Sequence, residues 1–118
     1  MAIIGVGTDI VSLDRIKEVK RRQAFAVKVL SPAELEVYEA FSGETRQVEF
    51  LAGRWAVKEA IYKAVPEFCR GKSYASFTIL NDGGGKPYLA FPSFEGNLQV
   101  SITHERKYAV AFVVAETS

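Results

Sequence analysis

Phe50-Leu51-Ala52-Gly53-Arg54-Trp55-Ala56-Val57-Lys58-Glu59-Ala60-Ile61-Tyr62-Lys63 is the stretch on which the reading of this chain turns. It lies in a helix expected from about Thr45 to Val65, with Pro66 as its stop. At about 100° per residue, Val48, Leu51, Trp55 and Tyr62 form one apolar stripe and Phe50, Val57 and Ile61 a second. A helix apolar on two sides belongs at the centre of its fold. Glu59 falls inside the first stripe, between Trp55 and Tyr62, where a carboxylate bears a desolvation cost unless something pairs with it. Two readings are open. Lys63, one turn on, is the local partner for a semi-buried ion pair, or Glu59 is a metal ligand or general base with Lys63 serving a phosphate or a proton.

Upstream, Ile3 to Val11 reads as a strand with Ile4, Val6, Thr8 and Ile10 on one face and Gly5, Gly7 and Asp9 on the other. Glycines on that face permit close approach. Asp9, after two bare positions, either caps the helix that follows or meets Glu59 across a small cavity. Two carboxylates brought together call for a cation, and oxygen-only ligation suits Mg²⁺. Ser12 is the expected N-cap of a helix to about Arg22, with Leu13, Ile16 and Val19 on one side. Ser31-Pro32-Ala33-Glu34 is a capping box opening a second helix to about Phe41, which Ser42-Gly43 ends.

Downstream the period shortens to that of strands, expected at Tyr74–Leu80, Pro87–Phe91, Leu98–Ile102 and Lys107–Ala115. A strand, three helices including the long central one, then an antiparallel meander define an α+β class. The turn Gly83-Gly84-Gly85-Lys86-Pro87 joins backbone N–H groups to a cation, a fair anion cradle, though such turns are common in hairpins. It lacks the lysine–Ser/Thr ending and the following helix of a P-loop. Arg54 is a possible phosphate fork. The single histidine, His104, follows Ser101-Ile102-Thr103 at a strand end, either as a turn residue or as a group serving a phosphate or a proton.

The 118 residues suit one domain, expected to span 1–118, and the 48% hydrophobic and 25% charged content excludes a disordered chain. No apolar run nears the roughly 20 residues of a membrane helix, and Met-Ala-Ile-Ile-Gly lacks the basic flank of an export signal. The lone Cys69 rules out an internal disulfide, so a reduced compartment, the cytoplasm, is expected. A chain this short buries only about two-thirds of its unfolded surface, which disfavours a deep cleft within one subunit and keeps oligomerisation open. Charge is uneven: Arg15 to Lys28 carries a net +5, which leaves −4 for the rest of a chain totalling +1. That segment is either a solvated helix face or a surface for an acidic partner.

Taken together, Gly5-Val6-Gly7-Thr8-Asp9-Ile10-Val11, the Phe50–Lys63 stretch, Gly85-Lys86-Pro87 and Ser101-Ile102-Thr103-His104-Glu105 resemble the 4'-phosphopantetheinyl transferases, and among them the short bacterial holo-[acyl-carrier-protein] synthases. The resemblance runs along nearly the whole chain. It implies transfer of phosphopantetheine from coenzyme A to a serine of apo acyl carrier protein, in fatty-acid or polyketide synthesis, with release of adenosine 3',5'-bisphosphate. It further implies Mg²⁺ on Asp9 and Glu59, proton removal by Glu59, and phosphate contacts from Lys63. The coenzyme site would be lined by Arg54, Gly85, Lys86, Pro87, Ser101, Thr103 and His104. Longer members carry a further acidic residue where this chain has Val11, so a water is implied there. The short type also implies a homotrimer with sites between subunits, and Arg15, Lys17, Arg21 and Arg22 as the dock for the acidic carrier. Leu13 and Ile16 would be an apolar centre of that dock or part of the core. The alternative of a nucleic-acid-binding module on the same basic segment fits poorly with a total charge of +1 and aromatic residues placed as core.

Overall fold

A computed structural model describes residues 1–118. The chain runs β1 (Ile3–Ser12), α1 (Leu13–Lys17), α2 (Arg22–Val29), α3 (Pro32–Ala40), α4 (Glu44–Ala64), α5 (Pro66–Cys69), a 3₁₀ turn (Tyr74–Ser76), β2 (Thr78–Asn81), β3 (Pro87–Phe91), β4 (Asn97–His104) and β5 (Tyr108–Glu116). Strands β1, β5 and β4 form an antiparallel sheet in that order, while β2 and β3 make a separate hairpin. The class is α+β as expected. The C-terminal strands nevertheless divide into two hairpins instead of one meander, and β1 closes the second against β5. Pro92 supplies no N–H to continue a ladder from β3.

The long helix is the hub. Leu51, Ala52, Ala56, Val57, Ala60 and Ile61 on α4 are fully buried, and burying a side chain the size of Leu51 or Ile61 stabilises by about 2 kcal/mol. Its approach to the sheet is set by the glycine face of β1. A Cβ at Gly5 would run into the Ala64 carbonyl oxygen, and one at Gly7 into that of Ala60. The glycines thus admit the helix backbone itself. The aliphatic face of β1 is turned the other way: Ile4, Val6 and Ile10 stand exposed, with Phe112 and Tyr108 of β5 exposed beside them.

Two helical boundaries differ from the sequence reading. Ser12 does cap α1, its Oγ accepting from Arg15 N at 3.3 Å, but the helix ends at Lys17. Lys17, Lys20 and Arg21 crowd like charges into the next turn, and only Leu13 and Ile16 have been buried by then. A helix not foreseen, α2, starts at Arg22 and buries Ala26 and Val29. Leu13 and Ile16 belong to the core. The capping box of α3 is complete, with Ser31 Oγ accepting from Glu34 N and Ser31 N donating to Glu34 Oε1 at 2.8 Å. Tyr74 to Ser76, expected as strand, is a 3₁₀ turn.

Candidate active site

Asp9, Glu59 and Lys63 meet in one cleft of about 360 Å³ between β1 and α4, lined also by Ser12, Arg15 and Trp55. The two-residue period of β1 puts Asp9 on the same face as Gly5 and Gly7, toward the helix. On α4, Trp55, Glu59 and Lys63 repeat every four residues and so share one side. Lys63 Nζ donates to Asp9 Oδ1 at 2.9 Å and to the Thr8 carbonyl at 3.0 Å. The expected Glu59–Lys63 pair is therefore not made: the strand carboxylate takes the ammonium. Nor does Asp9 cap α1, a task left to Ser12. Glu59 Oε1 instead accepts from the Tyr74 hydroxyl at 2.6 Å. Burial, and then this bond to Glu59, push the Tyr74 phenol up to about 12, so it stays a donor at neutral pH. Val11 lies in the floor, buried and apolar.

The other predicted residues lie elsewhere. Arg54 and His104 line a second cleft, of about 390 Å³, on the opposite flank of α4, with Arg46, Glu49, Gly53 and Asn81. Five residues separate Arg54 from Glu59, which is about 140° round the helix. Arg54 is largely buried: Nε donates to Ile79 O and Nη2 to Asn81 Oδ1, both at 3.1 Å, and the guanidinium stacks 4.4 Å over Phe50. Desolvation lowers its pKa. Three of its five N–H donors remain for a ligand. His104 closes β4, its Nδ1 3.8 Å from Glu49 Oε2, an ion pair only when the imidazole is protonated.

Three expectations meet a different local geometry in the structure. The Gly83–Pro87 turn is not an open anion cradle, because Asp82 fills it: its Oδ1 accepts from Gly84 N at 2.8 Å and Lys86 N at 3.0 Å, and its carbonyl from Gly85 N at 2.9 Å. Gly85 supplies the left-handed φ of +87° that this turn needs, Lys86 keeps its exposed ammonium, and Pro87 merely begins β3. Ser101 and Thr103 alternate with Val100 and Ile102, so they emerge from the sheet face opposite α4 and His104. The basic segment is no continuous helix face. Arg15 and Lys17 on α1 and Arg21 in the turn are exposed, but Arg22 is held by Glu44 at 2.8 Å.

Four residues escaped the sequence reading. Arg46 and Glu49 share the face of Gly53 at helical spacing, a signal available in the sequence. Tyr74 had none, since its bond to Glu59 depends on where a connector folds back. The fourth is Lys58, fully buried and bound to Glu34 Oε1 at 2.5 Å, Val29 O at 2.7 Å and Tyr74 O at 3.0 Å.

A strand carboxylate, a helix carboxylate and a lysine in one solvent-facing cleft, beside a second cleft rich in cations, describe a protein that handles phosphate esters. Residues 5–113 match the family model of the 4'-phosphopantetheinyl transferase superfamily, and the chain belongs to that superfamily. It is 45% identical over 116 residues to the holo-[acyl-carrier-protein] synthase of Lactococcus lactis subsp. cremoris, covering 97% of this chain and 98% of that one. With the synthase of Petrotoga mobilis it shares 43% over 121 residues, 95% of each chain. The crystal structure of a holo-(acyl-carrier-protein) synthase from Bacillus anthracis in complex with CoA (3',5'-ADP) superposes with a TM-score of 0.85 at 38% identity, over 100% of both chains. No helix is long and apolar enough to cross a membrane.

Proposed function

We propose that this chain, acting as one domain, transfers the 4'-phosphopantetheine arm of coenzyme A to a serine hydroxyl of apo acyl carrier protein. The observation that carries the reading is the convergence of Asp9, Glu59 and Lys63 in one cleft, in a chain whose relatives are named for that reaction and include a coenzyme A complex. The serine oxygen forms a new P–O bond at the phosphorus bearing pantetheine, the P–O bond to the nucleotide breaks, and adenosine 3',5'-bisphosphate leaves. Glu59 accepts the serine proton, directly or through a bound water: its Oε1 is steadied by Tyr74, which leaves Oε2 unengaged. Lys63, an ammonium at the mouth of the cleft, offsets phosphate charge.

The Asp9 and Glu59 carboxylates are the groups that would hold Mg²⁺. Two carboxylate donors in a solvent-facing cleft, with no nitrogen or sulfur ligand, suit a hard cation that keeps several waters and shares phosphate oxygens. Bound there, Mg²⁺ supplies neutralising charge to the phosphate under attack and to the departing nucleotide.

The active assembly we propose is a homotrimer with sites between subunits. Within one chain the Asp9–Glu59 cleft and the Arg54–His104 cleft lie on opposite flanks of α4, so a single coenzyme reaching both kinds of group needs a neighbour. The bare Ile4, Val6, Ile10, Tyr108 and Phe112 face is an apolar surface suited to that neighbour; the number three comes from the family resemblance. Arg15, opening onto the catalytic cleft, and the exposed Lys17 and Arg21 would steer an acidic carrier. We place the reaction in the reduced cytoplasm, in keeping with the buried free thiol of Cys69.

Mixing two variants tests the shared site. Asp9→Ala and His104→Ala proteins, each weak alone, should recover nucleotide release when unfolded and refolded together, since some interfaces then combine intact halves. No recovery would contradict a site built from two subunits.

A further inference from the structure

Tyr74 is gripped at both ends by neighbouring residues of α4. Its hydroxyl donates to Glu59 Oε1 at 2.6 Å, and its carbonyl accepts from Lys58 Nζ at 3.0 Å. It sits in a single 3₁₀ turn, within the connector that leads from α5 to β2. Such a connector does not place a side chain accurately unless something fixes its backbone.

That fixing group is a buried junction. Lys58 and Glu34 are both wholly inaccessible to solvent, and every donor of the ammonium is used: on Glu34 Oε1, on Val29 O and on Tyr74 O. The carboxylate is equally occupied, because Oε1 also takes Ser31 N at 2.8 Å and Oε2 takes Ile79 N at 2.7 Å. One ion pair thus ties the end of α2, the start of α3, the Tyr74 turn and β2 to the central helix. The pair also satisfies four backbone groups, Val29 O, Tyr74 O, Ser31 N and Ile79 N, which an apolar pair of similar size would leave without partners. What the ion pair adds is a set of directional bonds, one of which ends on Tyr74.

We propose that Tyr74 is a positioning residue for Glu59, held in place by the buried Lys58–Glu34 pair, so that the Glu59 carboxylate presents its second oxygen to the cleft it shares with Asp9. This deepens the transferase reading and rests on it. The phenol holds Glu59 while Lys63 is engaged with Asp9. The indole Nε1–H of Trp55 adds a further observation. It is buried with no acceptor in the same cleft wall. Tyr74 is thus the residue that donates to the one carboxylate of α4 that faces this cleft.

The test is Tyr74→Phe, which removes only the hydroxyl, in both the parent and a Glu59→Ala background. Mn²⁺ alone is titrated into the coenzyme-free protein and read by electron paramagnetic resonance. Steady-state kinetics give kcat and KM for coenzyme A, and the thermal midpoint monitors folding. We expect Tyr74→Phe to lower kcat about tenfold, with KM changed less than twofold, and to weaken Mn²⁺ binding about tenfold. In the Glu59→Ala background it should leave Mn²⁺ binding unchanged. Lys58→Met should reproduce the kcat loss, and Tyr74→Phe should add nothing further to it. A kcat within twofold of the parent, or an equal loss of Mn²⁺ affinity with and without Glu59, would reduce Tyr74 to a packing residue. If the parent transfers nothing to any carrier, the functional reading fails while the Mn²⁺ comparison still decides whether Tyr74 positions Glu59.

Discussion

Lys63 on α4 binds Asp9 on β1 at 2.9 Å, joining two residues 54 positions apart at the mouth of one cleft. The contact places a cation on the carboxylate that we propose as a metal ligand, so lysine and metal would be alternative neutralising partners for Asp9.

From this pairing we predict unequal consequences for stability and rate. The Lys63 side chain is 54% exposed, and exposed ion pairs contribute only about 0–1 kcal/mol. Lys63→Ala should therefore shift the urea midpoint little while lowering kcat/KM by on the order of 10². Asp9→Ala should do the same. Equal loss of stability and activity in either variant would mean the pair is structural.

The glycine face of β1 predicts a severe packing defect. Gly7→Ala puts a methyl group into the Ala60 carbonyl, where no side-chain movement relieves it. Destabilisation of about 2–3 kcal/mol is expected in urea denaturation. The same change at Gly43, where a Cβ meets nothing within 4 Å, should cost far less.

The bare sheet face predicts a change of assembly. Phe112→Glu, at a position 47% exposed in the single chain, should convert the proposed trimer to monomers in sedimentation equilibrium and abolish transfer. Secondary structure by circular dichroism should be retained.

Cys69 predicts a pH dependence. Burial raises its thiol from 9.0 to about 11, so the fold favours the protonated form. The resulting stability is fully present below pH 9 and is lost as pH rises through 11. Relative to Cys69→Ala, the parent should hold a constant difference in stability up to about pH 9 and then lose ground. Native protein at pH 8 should also resist thiol alkylation until unfolded.

How far these features could be read from the sequence depends on the range of the interaction behind them. The α4 helix, its Pro66 stop and the Ser31–Glu34 cap rest on neighbours a few residues apart and emerge within a residue or so of the expected limits. Asp9, Glu59 and Lys63 were legible as a group, but their pairing was not, because Lys63 had a plausible partner one turn away and the chosen one on another element. Glu34 read as a cap and Lys58 as a helix residue; that they form one buried pair follows from the α3–α4 packing. Asp82 shows the reverse error, a local side chain capturing the amide groups of a turn that looked open. The split of the basic segment into α1, a turn and α2 turned on like-charge crowding that periodicity does not register.

The most direct test of the account is the mass of a carrier protein. Incubated with this chain, coenzyme A and Mg²⁺, apo acyl carrier protein should gain one phosphopantetheine on its serine, as measured by intact-mass spectrometry, and Asp9→Ala and Glu59→Ala proteins should form that product slowly or not at all. A carrier of unchanged mass, or product formed as fast by both variants as by the parent, would contradict the assignment of this cleft to phosphopantetheine transfer.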